Sequence, residues 1–165
     1  GVDIVREQLR IAGGEGLSVT QQDVQIKGHA IEVRINAESP ERDFTPTPGR
    51  VDTWVVPVGT GVRVDTACFP GWSVPPFYDS LLAKLIVAGA DRADALERTR
   101  RALRHLRVEG VETTAGFALD VLERPEVREG KVHTRWVEEE FIPTWSAATE
   151  LGGATTEPTP TEEAV

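Results

Sequence analysis

The sequence predicts an α+β fold, a mostly antiparallel sheet with flanking helices, followed by a disordered tail. Three observations predict it. Ala30 to Glu38 alternates strictly, with Ile31, Val33, Ile35 and Ala37 on one face and Glu32, Arg34, Asn36 and Glu38 on the other. Leu81–Val87 is almost continuously apolar, broken only by Lys84, which suits a strand buried on both faces. Residues 92–106 then switch to helical spacing, with Leu96, Leu103 and Leu106 beside Ala95, Thr99 and Ala102.

The elements follow in order. Val2, Val5, Leu9 and Ala12 recur at helical spacing, so residues 3–12 read as a helix with Arg6, Glu7 and Arg10 on its wet side. Gly13-Gly14 ends it. A short strand is expected over Val24–Ile26, ahead of the alternating strand. Residues 39–50 form a loop punctuated by Pro40, Pro46, Pro48 and Gly49, with Phe44 as its apolar anchor. Val51–Val56 and Gly61–Thr66 read as two strands of a hairpin turning at Pro57-Val58-Gly59-Thr60. Asp91 is placed to cap the helix at 92–106, whose Arg92, Arg98, Arg101 and Arg104 form a solvated face. Thr113 or Thr114 caps a shorter helix carrying Phe117, Val121 and Leu122. Arg135–Phe141 makes a last turn or two, with Trp136, Val137 and Phe141 docking inward. Residues 1–145 form one domain. Residues 146–165, rich in Ala, Thr, Gly, Pro and Glu, have the composition of a linker.

Composition removes several function classes. The formal charge is −9, and after Phe141 there are four acids and no Lys or Arg. A nucleic-acid footprint needs clustered positive charge, so that class drops out. No apolar run reaches the ~20 residues of a membrane helix. One cysteine, Cys68, excludes an internal disulfide framework and a cysteine zinc site, and a cytoplasmic setting is expected. The sequence contains no methionine, even at position 1, and is expected to be a piece of a longer protein.

Complete catalytic machinery is not visible. There is no glycine-rich phosphate loop, no nucleophile elbow frames a serine, and His29, His105 and His133 lack metal-ligand spacing, so no metal site is expected. Arg34 is the candidate that remains. Its guanidinium is always charged and donates through a planar fork, which suits a carboxylate, a carbonyl or a developing enolate oxygen. Glu32 or Glu38 would orient it. The same pattern also describes a structural ion pair on a sheet face. Asp79 carries a similar pair of readings, as a strand-start acid capping backbone amides or as a partner for an arginine.

Gly28-His29-Ala30-Ile31-Glu32-Val33-Arg34-Ile35-Asn36-Ala37-Glu38 resembles a strand of the biotin carboxylases. Phe44-Thr45-Pro46-Thr47-Pro48-Gly49 is similar to their Phe-x-Pro-Ser-Pro-Gly loop. Gly61-Val62-Arg63-Val64-Asp65, Tyr78-Asp79-Ser80-Leu81-Leu82-Ala83-Lys84-Leu85 and Val108-Glu109-Gly110-Val111-Glu112-Thr113 follow in the family's order. The resemblance covers about residues 1–141 and concerns the C-terminal domain. It implies an ATP-grasp enzyme whose nucleotide- and magnesium-binding residues lie upstream, ending in an Asn-x-Arg-x-Gln-x-Glu-His segment just before Gly1. In that family ATP and bicarbonate give carboxyphosphate, and the carboxyl group passes to N1 of biotin. Arg34 is then implied as the catalytic and biotin-binding residue beside the ureido oxygen; Glu32, Glu38 and Asp79 are expected to support it by orienting the guanidinium. Arg63 is implied at a homodimer interface, although Thr60 stands where an aromatic is expected. Thr47 replaces the usual Ser, and Thr114 the usual Asn, a change expected to affect a helix cap only.

Arg135-Trp136-Val137-Glu138-Glu139-Glu140-Phe141 resembles the α-subunits of actinobacterial-type acyl-CoA carboxylases, enzymes of fatty acid biosynthesis. That implies a biotin carboxyl carrier domain beyond the linker and a carboxyltransferase subunit as partner. The chain alone would be inactive. A non-catalytic dimerisation or scaffolding module derived from the same domain is the alternative. The final carboxyl acceptor, an acyl-CoA or pyruvate, is not written in this sequence.

Overall fold

Around the long strand over 81–89 the fold assembles. A computed structural model describes residues 2–146. The elements are α1 (Ile4–Ala12), β1 (His29–Asn36), β2 (Glu38–Ser39), β3 (Thr45–Pro46), β4 (Gly49–Arg50), β5 (Thr53–Val55), β6 (Val62–Thr66), β7 (Ser73–Val74), β8 (Leu81–Gly89), α2 (Arg92–His105), β9 (Arg107–Glu109), α3 (Ala115–Glu123) and α4 (Pro125–Glu129). A π-helical turn follows over Val137–Phe141. The tail expected from residue 146 falls, from 147 on, outside the described residues.

The main sheet has the order β1-β8-β6, with both pairs antiparallel. Its register stacks Ile31, Val33 and Ile35 against Val87, Leu85 and Ala83, and those against Val62, Val64 and Thr66. That apolar face packs on α2 through Leu96, Ala102 and Leu103, and on α3 through Leu119 and Leu122. The expected double burial of the 81–87 run holds at its start. Leu82 joins a second cluster with Ala37, Val51, Cys68 and Val74, while Ala83 lies in the first. Asp91 caps α2 as expected, accepting from the Asp94 amide at 2.9 Å. Toward the end of the described residues, aromatics pack on the core. Phe141 stacks on Trp136 and meets Phe117 edge-on, and Phe44 anchors the 39–50 loop on Phe117 at 5.0 Å.

Several expectations are overturned. Residues 24–26 form no strand, and Ile26 is 95% exposed. The 3-10 turn Gln21–Asp23 precedes them, closed by Thr20 and Asp23. The hairpin at 57–60 does not form. β6 pairs with β8, whereas β5 pairs with β9, a strand that local pattern does not announce. β8 offers β6 a long apolar ladder, and Glu109 draws β5 across, its carbonyl accepting from Asp52 N at 2.8 Å and its carboxylate from the Thr53 hydroxyl. The following Gly110 has φ +97°, and a Cβ there would run into the Arg50 carbonyl, so that bend needs glycine. Arg92 leaves the expected solvated face, donating to the Val127 carbonyl and contacting His29. Arg98 and Arg104 pair with Asp94 and Glu123. α1 presents the opposite face to the one expected. Glu7 is buried, holding the amide and hydroxyl of Ser18, while Ile4, Val5 and Leu9 are 71%, 65% and 70% exposed. The short helix α4, opened by Pro125 and closed by Gly130 in left-handed backbone, is an addition to the expected elements.

The β5–β9 pairing carries a pH test. The Thr53 hydroxyl, and then Arg107, hold the Glu109 carboxyl below the ordinary carboxylate range. A depressed folded-state pKa stabilises above the unfolded value and the contribution is lost as pH falls through the folded one. Thr53→Val is expected to move the Glu109 midpoint upward in a carboxyl NMR titration. An unmoved midpoint would contradict the assigned cause.

Candidate functional site

The alternation of β1 decides what its outer face displays. With Ile31, Val33 and Ile35 committed to the core, Glu32 and Arg34 must point away from it, and both are exposed. The neighbouring strands extend that face. Glu32 lies opposite Ile86, which lies opposite Arg63. Arg34 lies opposite Lys84, which lies opposite Asp65. Directly paired residues have Cβ atoms about 4.5–5.5 Å apart, and like charges in such a pair are destabilising. An arginine and a lysine side by side therefore call for a compensating anion.

The one carboxylate directly across, Asp65 opposite Lys84, pairs with Arg63 instead, at 2.9 Å. Among the described residues neither Arg34 nor Lys84 makes a side-chain hydrogen bond or ion pair. Glu38 accepts from Asn36 Nδ2 at 3.1 Å and from the Ser80 hydroxyl, tying the end of β1 to the start of β8. Asp79 accepts from the Leu81 amide at 2.7 Å, the backbone-capping alternative raised from sequence. Glu32 makes no polar side-chain contact among the described residues. The structure thus brings Glu32, Glu38 and Asp79 to the same end or face of the sheet as Arg34, but none of them into ion-pair distance of it. Arg63 sits exposed on β6, whose far edge is unpaired among the described residues.

The backbone beneath Arg34 is fixed from the other side. β1 is an edge strand, and its register with β8 shifts between Ile35 and Asn36. Thr114 covers that point. The Asn36 amide donates to Thr114 Oγ1 at 3.0 Å, the Thr114 amide donates to the Asn36 carbonyl at 3.1 Å, and the Thr114 hydroxyl donates to the Arg34 carbonyl at 3.3 Å. The expectation that Thr114 is only a helix cap is corrected, since its side chain makes no capping hydrogen bond on α3. No local sequence signal could have found this contact, because its partners lie 78 and 80 residues apart. A separate concavity of about 730 Å³ lies between the 39–42 turn, β9 and α3, and neither Arg34 nor Lys84 lines it.

An always-charged donor fork beside an ammonium, neither in an ion pair among the described residues, can bind an anionic group or stabilise charge developing on an oxygen. Known proteins are similar to this chain across the residues that build the site. The profile of the family described as "Biotin carboxylase C-terminal domain" matches residues 32–139. The biotin carboxylase of Nostoc sp. is 50% identical over 139 residues, 84% of this chain and 31% of that protein. Biotin carboxylase 1 of Bacillus subtilis is 46% identical over 138 residues, covering 84% of this chain and 31% of that protein. The chain thus spans about a third of the length of these curated relatives. Among solved structures, the biotin carboxylase domain dimer of Hydrogenobacter thermophilus 2-oxoglutarate carboxylase, in complex with MgADP, ADP and bicarbonate, superposes with a TM-score of 0.80 at 41% identity, over 88% of this chain and 32% of that one.

Proposed function

We propose, for a chain that belongs to the biotin carboxylase C-terminal domain family, that it supplies the biotin-facing wall of a biotin carboxylase whose ATP and magnesium are bound by an upstream ATP-grasp domain. The observation that carries this reading is the Arg34–Lys84 pair, two cations side by side with neither in an ion pair among the described residues. Asp65, the carboxylate opposite Lys84, is engaged by Arg63 instead.

Biotin, delivered on a carrier domain, supplies the ureido nitrogen that accepts the carboxyl group. The chain's own residues bind and orient. Arg34 donates to the ureido oxygen and stabilises negative charge as it develops there, a task for which a fixed fork suits better than mobile water. Lys84 adds positive potential beside it. Glu38, through Asn36 and Ser80, holds the strand ends that carry the site.

The bare face of α1 supports the upstream partner. Ile4, Val5 and Leu9 are exposed on one helix, a pattern that marks an interaction surface. In this reading they pack on the ATP-grasp domain. Arg63 on β6, whose outer edge is unpaired among the described residues, belongs to a homodimer contact. The ending Arg135–Phe141 favours a cytoplasmic acyl-CoA carboxylase α-subunit of the actinobacterial type, working with a carboxyltransferase subunit in fatty acid biosynthesis. Among the described residues no helix is long and apolar enough to cross a membrane.

The division of labour is directly testable. The chain alone is expected to show no bicarbonate-dependent ATP hydrolysis in a coupled ADP-release assay. Robust turnover by the chain alone would refute the assignment of ATP chemistry to an upstream domain.

A further inference from the structure

We propose that Thr114 is a positioning residue for Arg34, clamping the backbone from which the guanidinium projects. This rests on the biotin-site reading above. β1 lies at the sheet edge, so its amides and carbonyls facing away from β8 have no ladder partner. At Arg34 and Asn36 one residue provides three partners. The Thr114 amide meets the Asn36 carbonyl, and its hydroxyl both accepts from the Asn36 amide and donates to the Arg34 carbonyl. A hydroxyl has one donor and two acceptor positions, so it can serve both contacts at once.

The location makes the clamp consequential. It sits where the β1–β8 register shifts, just past Ile35. A one-residue slip there would turn Arg34 toward the core face. The Arg34 side chain has no hydrogen bond of its own among the described residues to hold it, so its origin is set by its backbone alone. Thr114 is 8% exposed, so water does not readily replace its contacts. It also opens α3, whose Leu119 and Leu122 are in the main core, so the strand bearing Arg34 is tied to a rigid element.

The test uses the full-length carboxylase with free biotin as substrate. Thr114→Val keeps the branched shape and removes the hydroxyl, whereas Thr114→Ser keeps the hydroxyl. Thr114→Val is expected to lower kcat for biotin carboxylation about tenfold, the scale of a small misplacement of a reacting group. Thr114→Ser should stay within about twofold of the parent, and the KM for ATP should move by less than about twofold in both. If Thr114→Val does not fold, Thr114→Ala carries the same expectation. In an Arg34→Ala background, Thr114→Val should cost nothing further, because the group it positions is gone. A Thr114→Val enzyme as fast as the parent overturns the proposal. So does a Thr114→Ser enzyme as slow as Thr114→Val, which would assign the loss to packing. A wild-type rate in Arg34→Ala would instead bring down the biotin-site reading itself, while a slow Arg34→Ala beside a fast Thr114→Val sinks the clamp alone.

Discussion

Arg34→Ala in the full-length carboxylase is expected to slow biotin carboxylation by about 10²–10³, the loss that follows removal of one donor at a developing oxyanion. ATP should still bind with nearly parental affinity, because in this account nucleotide contacts lie on the upstream domain. The fold should not suffer. Arg34 is exposed and its side chain makes no hydrogen bond or ion pair among the described residues, so its truncation breaks none there. Removing it relieves the repulsion with Lys84, since like charges directly opposite one another are destabilising. A large rate loss with an unchanged or slightly raised melting temperature is therefore the expected signature, read from steady-state kinetics and a thermal scan. A structural ion pair would give the reverse, a stability loss with little kinetic effect.

Phe141→Ala should give the largest stability loss. The ring is 2% exposed and closes the core from the C-terminal side. It stacks on Trp136 at 5.6 Å between centroids, meets Phe117 at 5.4 Å, and lies under the Arg124 guanidinium at 5.1 Å. Truncating a buried Phe to Ala costs about 3–5 kcal/mol through lost transfer energy and the cavity left behind. That is a large part of the total stability of an ordinary domain. Urea denaturation of the parent and variant chains measures it, and a loss below about 1 kcal/mol would mean that the 137–141 turn lies outside the cooperative core.

What is legible in advance is what a local pattern encodes. The period-two alternation of β1 identifies its core face and places Arg34 on the other, and the 92–106 periodicity locates α2 with its Asp91 cap. Local pattern does not name partners. β5 and β6 are separated by a plausible turn, yet their partners are β9 and β8, and only the three-dimensional ladder reveals it. α1 is recognisable as amphipathic, but periodicity cannot say whether an apolar stripe meets this chain or another surface, and here it is bare. The site shows the same division. Arg34 stands out by residue type and position, whereas the choice between ion pair and ligand site needs Lys84 opposite it, from a strand distant in sequence. Thr114 reads as a helix cap because Thr before a helix usually is one, and its actual partners on β1 are distant in sequence.

The central claim, that Arg34 completes a site where biotin is carboxylated, is tested most directly by following labelled bicarbonate in the full-length protein. Incubation with ATP, magnesium, free biotin and [¹⁴C]bicarbonate should put acid-labile label on biotin, dependent on ATP and lost in Arg34→Ala. Label on biotin at the parental level in Arg34→Ala, or ATP consumed by the parent protein with no label on biotin at all, would contradict it.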